Sequence, residues 1–347
     1  MILLTLRQMV ARFGFAAWLF LALGTIPAVF AQAPAKPTPA ARVDVPYPTL
    51  RMHAQDQGIV MRYGDGPERC DELGARDVTV WKDRDTFYMN YDGAGPKGWQ
   101  VCAATSADGT HWKKHGEVLG LGAPGSDDSA TASYGFPYFD GKKWWLYYLG
   151  STKASPAPDR VPIGPYFTMT AEADSPLGPW KKRYDLGTLK QGSPGPVFKI
   201  DDKFIMIFSL GIARTDSLEK PWVPDPTRLF TPNQHCENVS IYYEPTNQTW
   251  FLFTNHIKID PKRNYTDGVW MFWTKDLQHW DTANRAIVFD GTDCGWSKAV
   301  IGLPSVLKIG NRLAMYYDGR EDPNDHWHMK RQVGLAWLDL PLQPPQP

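Results

Sequence analysis

The sequence predicts an all-β chain, a five-bladed β-propeller whose ring is closed by an N-terminal strand in the last blade. Three observations predict it. A strand–turn–strand pattern recurs five times, each copy is followed by a third strand-like segment, and no helical periodicity interrupts the repeats.

The first copy is Ala75 to Gly93, where Val78 and Val80 share one face and, after a polar turn, Phe87, Met89 and Tyr91 alternate with Tyr88 and Asn90. The others begin at Tyr134, Gly192, Glu237 and Gly302, giving steps of 59, 58, 45 and 65 residues. Third strands are expected at Trp99 to Thr105, Tyr166 to Glu172, Gly211 to Thr215, Gly268 to Thr274 and Val333 to Leu338. In four units a turn ending in Trp112, Trp180, Trp222 or Trp280 follows, and these tryptophans read as plugs between blades. Fourth strands then fit Glu117 to Leu119, Tyr184 to Leu189, Thr227 to Phe230 and Ala286 to Phe289. The fifth unit ends after Leu340 without one, so the segment Ile59 to Tyr63 is the expected donor that closes the ring. Strands such as Trp144 to Leu149 are apolar at every position, which suits a sheet covered on both faces.

Arg7 and Arg12 precede an apolar run from Phe13 to Phe30, and small residues follow around Ala31, which reads as a signal peptide over residues 1–31. Residues 32–50 read as a linker and 51–347 as one propeller domain. The expected mature protein is secreted or periplasmic and has no integral membrane span. Removing Arg7 and Arg12 from 37 basic residues leaves 35 against 37 acidic, a balance with no electrostatic footprint for nucleic acid. The four cysteines would lie in the exported part, where disulfides persist; Cys70 with Cys102 and Cys236 with Cys294 is the favoured pairing of three possible. Their spacing matches no zinc motif, no acidic loop spells a calcium site, and no metal or other cofactor is expected.

A propeller gathers equivalent loops at one end of its axis, so the residues leading into each first strand can be compared directly. They are Arg76-Asp77, Ser133-Tyr134, Gly192-Ser193, Glu237-Asn238 and Ile301-Gly302, and only the first and fourth carry an acid. Asp127-Asp128 stand in the loop before the second blade. Two carboxyl groups facing one another across a funnel are what glycosidic bond cleavage needs, one to protonate the leaving oxygen and one to activate water or attack. On this reading Asp77 is the base, kept ionised by Arg76, Glu237 is the acid, and Asp128 assists. Arg76, Tyr134, Asn238, Arg320, His326 and His328 are candidates for contacts with a carbohydrate substrate, and Trp99, Trp296 and Trp327 for stacking on it.

The segment RDVTVWKDRDTFYMNYDG and the turns SADGTHW and TKDLQHW resemble those of the five-bladed propeller glycosidases, the superfamily around glycoside hydrolase families 43, 32 and 117. The likeness covers about Leu73 to Leu340. It implies that Asp77 is base or nucleophile, that the substrate is an arabinan-, xylan-, fructan- or galactan-type glycan and, for the family 43 branch, that the anomeric centre inverts. Family 43 places a pKa-setting Asp at the second blade and an acid Glu at the third, whereas those positions here read SYGFPYF and GSPGPVF. Family 117 implies a histidine acid, for which His235, His256, His326 and His328 are available. A noncatalytic sugar-binding propeller and a glycoside phosphorylase remain as alternatives. The oligomeric state is not specified by the sequence.

Overall fold

The computed structural model describes residues 47–190, 192–208, 211–228, 236–257 and 267–346. The signal peptide, most of the linker and His235 lie outside them. The described chain is built of strands, with two short 3-10 turns at Pro67–Arg69 and Tyr184–Leu186.

Five antiparallel units follow one another along the chain. The first comprises Ala75–Asp83, Thr86–Gly95, Gly98–Ser106 and Lys113–Leu119. The second has three long strands, Thr131–Phe139, Trp144–Ala154 and Pro162–Ala173. In place of the single fourth strand expected at Tyr184 to Leu189, two residue pairs, Lys181–Lys182 and Leu189–Lys190, flank a 3-10 turn and both pair with Pro162–Ala173. The third unit runs through Val197–Ile200, Lys203–Phe208, Gly211–Thr215 and Val223–Arg228. The fourth runs through Cys236–Glu244, Thr249–Ile257, Asp267–Thr274 and Arg285–Asp290. The fifth has Ile301–Ile309, Arg312–Gly319 and Gln332–Asp339, with the N-terminal strand Gln55–Met61 on its outer edge, slightly earlier than the segment expected.

By hydrogen bonding these units form four sheets rather than five, because Trp99 and Gln100 pair in parallel with Thr131 and Ala132 and fuse the first two units into one nine-stranded sheet.

Apolar burial, which supplies ~25 cal/mol per Å² of surface removed from water, runs between units and not only within them. Val101 of the first unit packs with Leu146 and Tyr148 of the second. Trp145 and Tyr147 pack with Met206 and Ala213 of the third. Ile205 and Ile212 pack with Leu252 and Trp270 of the fourth, and Phe253 and Met271 with Met315 and Ala336 of the fifth. Tyr316 and Leu335 of the fifth return to Val78 and Met89 of the first. The turn tryptophans join these clusters: Trp112 meets Tyr316 edge-on at 5.8 Å and Trp222 meets Tyr147 at 5.5 Å.

The expected disulfides are not formed. Cys70, Cys102 and Cys294 are free thiols. Cys102 Sγ points to the Cys70 carbonyl at 3.8 Å and Cys70 Sγ to the Tyr91 hydroxyl at 3.7 Å, while Cys294 Sγ lies 3.4 Å from the Tyr317 hydroxyl. The Cys70 and Cys102 side chains also interact with one another, and Cys294 Sγ accepts the Ser297 N–H at 3.2 Å.

Candidate functional site

The first strands of four units share one irregularity. Pairing with the second strand slips between Arg76 and Thr79, Ser133 and Phe136, Glu237 and Val239, and Gly302 and Ser305. In three of these bulges a non-glycine residue takes left-handed backbone angles: Asp77 (φ 54°), Tyr134 (φ 48°) and Asn238 (φ 44°). Such a conformation costs about 1 kcal/mol or more, and it concentrates where a side chain has to be aimed.

Carboxylates of neighbouring units hold two of these bulges. Asp318, at the end of the fifth unit's second strand, accepts the backbone N–H of Asp77 on Oδ2 at 2.7 Å. Asp92, in the matching place of the first unit, accepts the N–H of Tyr134. Both sit in a Tyr-Asp-Gly triplet, Tyr91-Asp92-Gly93 and Tyr317-Asp318-Gly319. Arg331 pairs with the other oxygen of Asp318.

Asp77, Glu237, Arg76, Asn238 and His328 are brought together around a single cavity of about 260 Å³. Asp92, Leu149 and Ser193 also reach it, and its apolar walls are Trp99, Val161, Pro162, Tyr166 and Trp327. Arg76 clamps Asp77 with two hydrogen bonds, Nε to Oδ1 and Nη2 to Oδ2, each 2.8 Å. Its Nη1 donates to His328 Nδ1 at 2.5 Å, and its guanidinium lies 5.1 Å from the centre of the Trp99 ring. Burial works against the Arg76 charge, but Asp77, Asp318 and Asp92 together hold its pKa above the ordinary value.

Burial pushes Asp77 up to about 6, and Asp318 adds to this, against the opposing pull of Arg76 and Arg331. Arg76 thus acts in the sense the sequence suggests, lowering Asp77 so that it stays mostly ionised at neutral pH, while burial and Asp318 work against it. Asp92 is raised well above the ordinary carboxyl value by burial and then by Asp77, while Arg76 and the Tyr134 N–H oppose. Glu237 lines the cavity and is exposed there. Desolvation raises it, and Asp318 adds to that, while Arg76 and Arg331 oppose.

His328 is driven down to about 2 by burial and by Arg76, Arg331 and His326. Because its Nδ1 accepts from Arg76, the neutral ring carries its proton on Nε2. It is a hydrogen-bond donor and not a proton reservoir. Asn238 is buried at the cavity wall with Oδ1 unpartnered.

Other candidates fall elsewhere. Asp128 is fully buried beneath its loop, where Lys182, the Tyr148 hydroxyl (2.9 Å) and the Tyr184 hydroxyl (3.2 Å) hold it away from the cavity. Tyr134 is buried beside Asp77 and Asp92, both of which act with burial to raise its phenol, and it does not line the cavity. Arg320 is buried outside the cavity lining, with Nη2 on the Pro323 carbonyl at 3.0 Å and Nε and Nη1 unpartnered. His326 is exposed and reaches the site only through His328, its ring 5.6 Å away. His256 stacks on Trp270, and Trp296 on Tyr317. Trp99 and Trp327 do line the cavity.

Asp92, Asp318 and Tyr166 do not stand out in the sequence. The repeated Tyr-Asp-Gly triplet is the available signal for the two acids, since it places a carboxylate at the end of an otherwise apolar strand.

No family model matches the sequence, and no curated protein matches it either. Solved structures do. One described as a glycoside hydrolase aligns with TM-score 0.61 at 14% identity, over 85% of the present protein and 96% of the other. One from work on the GH130 family of mannoside phosphorylases, which contains glycoside hydrolases that target β-1,2 mannosidic linkages in Candida mannan, gives 0.62 at 14% over 87% and 98%. The α-L-arabinofuranosidase of Podospora anserina in complex with cellotriose gives 0.60 at 13% over 84% and 98%. The fold is that of the propeller glycoside hydrolases. Within this propeller fold, Asp77 and Glu237 come from different units and face the same cavity.

Proposed function

We propose that the chain is an exported glycoside hydrolase, a five-bladed propeller closed by its N-terminal strand, that cleaves a plant- or algal-type glycan by carboxylate acid/base catalysis with inversion. The observation that carries this reading is the pairing of Asp77 and Glu237 at one cavity, both with carboxyl groups raised by burial. The unit-to-unit core packing, which returns from the fifth unit to the first, supports the ring. The apolar run at residues 13–30 supports export.

Asp77, ionised, takes a proton from the water that attacks the anomeric carbon, and Glu237, protonated, gives its proton to the departing glycosidic oxygen. Its bulge aims Asp77 while Arg76 and Asp318 fix it from two sides. His328 is too weakly basic to serve as the acid, which favours Glu237 for that role. Nε2–H of His328 and the amide of Asn238 are suited to sugar hydroxyls. A phosphorylase needs a free cation for phosphate, but among the described residues lining the cavity the one cation is Arg76, already engaged by Asp77 and His328.

The test is hydrolysis of arabinan, xylan, fructan and galactan substrates, with and without phosphate, by the parent and by folded Asp77→Asn and Glu237→Gln variants. The expected result is phosphate-independent turnover that both substitutions abolish or cripple. Full activity in both variants overturns the assignment, and saturable binding without any released sugar replaces it with a noncatalytic binding role.

A further inference from the structure

The second unit carries a hairpin that its counterpart in the first unit lacks. The first unit's second and third strands end their pairing at Gly95 with Gly98, whereas those of the second continue past Ser151 with Tyr166 to Lys153 with Ile163 and Ala154 with Pro162. Ser155 and Val161 then close the tip through hydrogen bonds of 2.8 and 2.9 Å.

This extension crosses to the first unit. Trp99 Nε1 donates to the Asp159 carbonyl at 2.9 Å, and Val161 packs with Trp99, Ala94 and Leu73. Met329, from the loop before the fifth unit's last strand, buries itself in the same cluster, and Lys330 N–H bonds the Leu73 carbonyl at 2.7 Å. The rim from the fifth unit through the first to the second is thus sealed by apolar packing and backbone hydrogen bonds, directly beside Arg76 and Asp77.

A polysaccharide cut internally must leave the cavity on both sides of the scissile bond. Here one side is a wall, and the space of about 260 Å³ lies below the ~300 Å³ at which pockets begin to take drug-sized ligands. We infer that the site admits one terminal glycosyl unit, with the leaving group extending out of the mouth, so that the enzyme works from non-reducing ends and releases monosaccharides. This rests on the glycosidase reading and specifies its substrate class as chain or branch ends.

The experiment follows products from the earliest times by anion-exchange chromatography, using the full-length protein on linear arabinan, xylan, fructan and galactan oligosaccharides. A parallel set carries a bulky ether on the non-reducing terminal ring. Monosaccharide as the sole initial product, lost when that ring is blocked, is expected. Oligosaccharides as first products, or unimpaired cleavage of blocked chains, overturn this inference and leave the glycosidase reading standing. Absence of hydrolysis from every substrate overturns both. A folded, active variant with residues 155–160 replaced by a short Gly-Ser turn should begin to release oligosaccharides; continued release of monosaccharide alone from it would show that the hairpin does not confine the site.

Discussion

Asp318 Oδ2 accepts the backbone N–H of Asp77 across the boundary between the fifth unit and the first, at 2.7 Å. The proposed base is therefore held through its main chain by one acid and through its side chain by Arg76. The like charge of Asp318 also raises it. Asp318→Asn keeps an oxygen acceptor for the N–H but removes that charge. The limb of the kcat/KM profile that reports ionisation of Asp77, expected near 6, should move to lower pH, with kcat reduced less than in Asp318→Ala. A limb that stays in place would separate Asp318 from the titration of Asp77.

Arg76 acts in the opposite sense on the same carboxyl. Arg76→Gln should shift that limb upward, because the cation opposing burial is gone, and should lower activity at neutral pH. The pH dependence of kcat/KM measures both effects.

Glu237 and Asp77 should differ in their response to leaving group. With an aryl glycoside whose phenol leaves readily, protonation is dispensable, so Glu237→Gln should recover most of a loss of roughly 10²–10⁴-fold seen with natural substrates. Asp77→Asn should remain impaired on both. Equal losses on both substrate types in both variants would contradict the division of roles.

Asp92 links the site to stability. Its folded pKa lies above the unfolded value of 3.8, so the native state retains a proton that the unfolded chain releases. The stability this contributes is present below the unfolded value and is lost as pH rises through the folded one. Asp92→Asn preserves an acceptor for the Tyr134 N–H and removes the titration. Its melting temperature should exceed the parent's at about pH 8 and match it near pH 4. A gain of equal size at both pH values would show that charge is not its cause.

Much of the fold was legible because strands with this much apolar continuity admit few arrangements. Asp77 and Glu237 stood out because the chain places them where its repeats can be aligned. Tertiary structure decided the remainder. Asp128 reads as an acid in a Gly/Ser-rich loop, but Lys182, far along the chain, reaches back to bury it. Arg320 follows a strand that ends at the site, yet its N–H bonds Ser297 Oγ and its side chain turns toward Pro323. Asp92 and Asp318 were hidden by the same triplet that locates them, since Asp-Gly at a strand end reads first as a turn. Of the expected cysteine pairs, Cys70 and Cys102 do bring their side chains together as thiols, whereas the Cys294 thiol meets the Tyr317 hydroxyl.

The pairing of Gln55 with Trp337 and of Met61 with Val333 joins segments some 280 residues apart. The strand Gln55–Met61 has no sheet to join until Gln332–Asp339, far later in the chain, has been made. Formation of that edge is a late, non-local event, and Gln332–Asp339 would present an unpaired edge in any product clipped downstream of Met61. The same contact that finishes the last sheet thereby makes its completion depend on two segments far apart in the sequence.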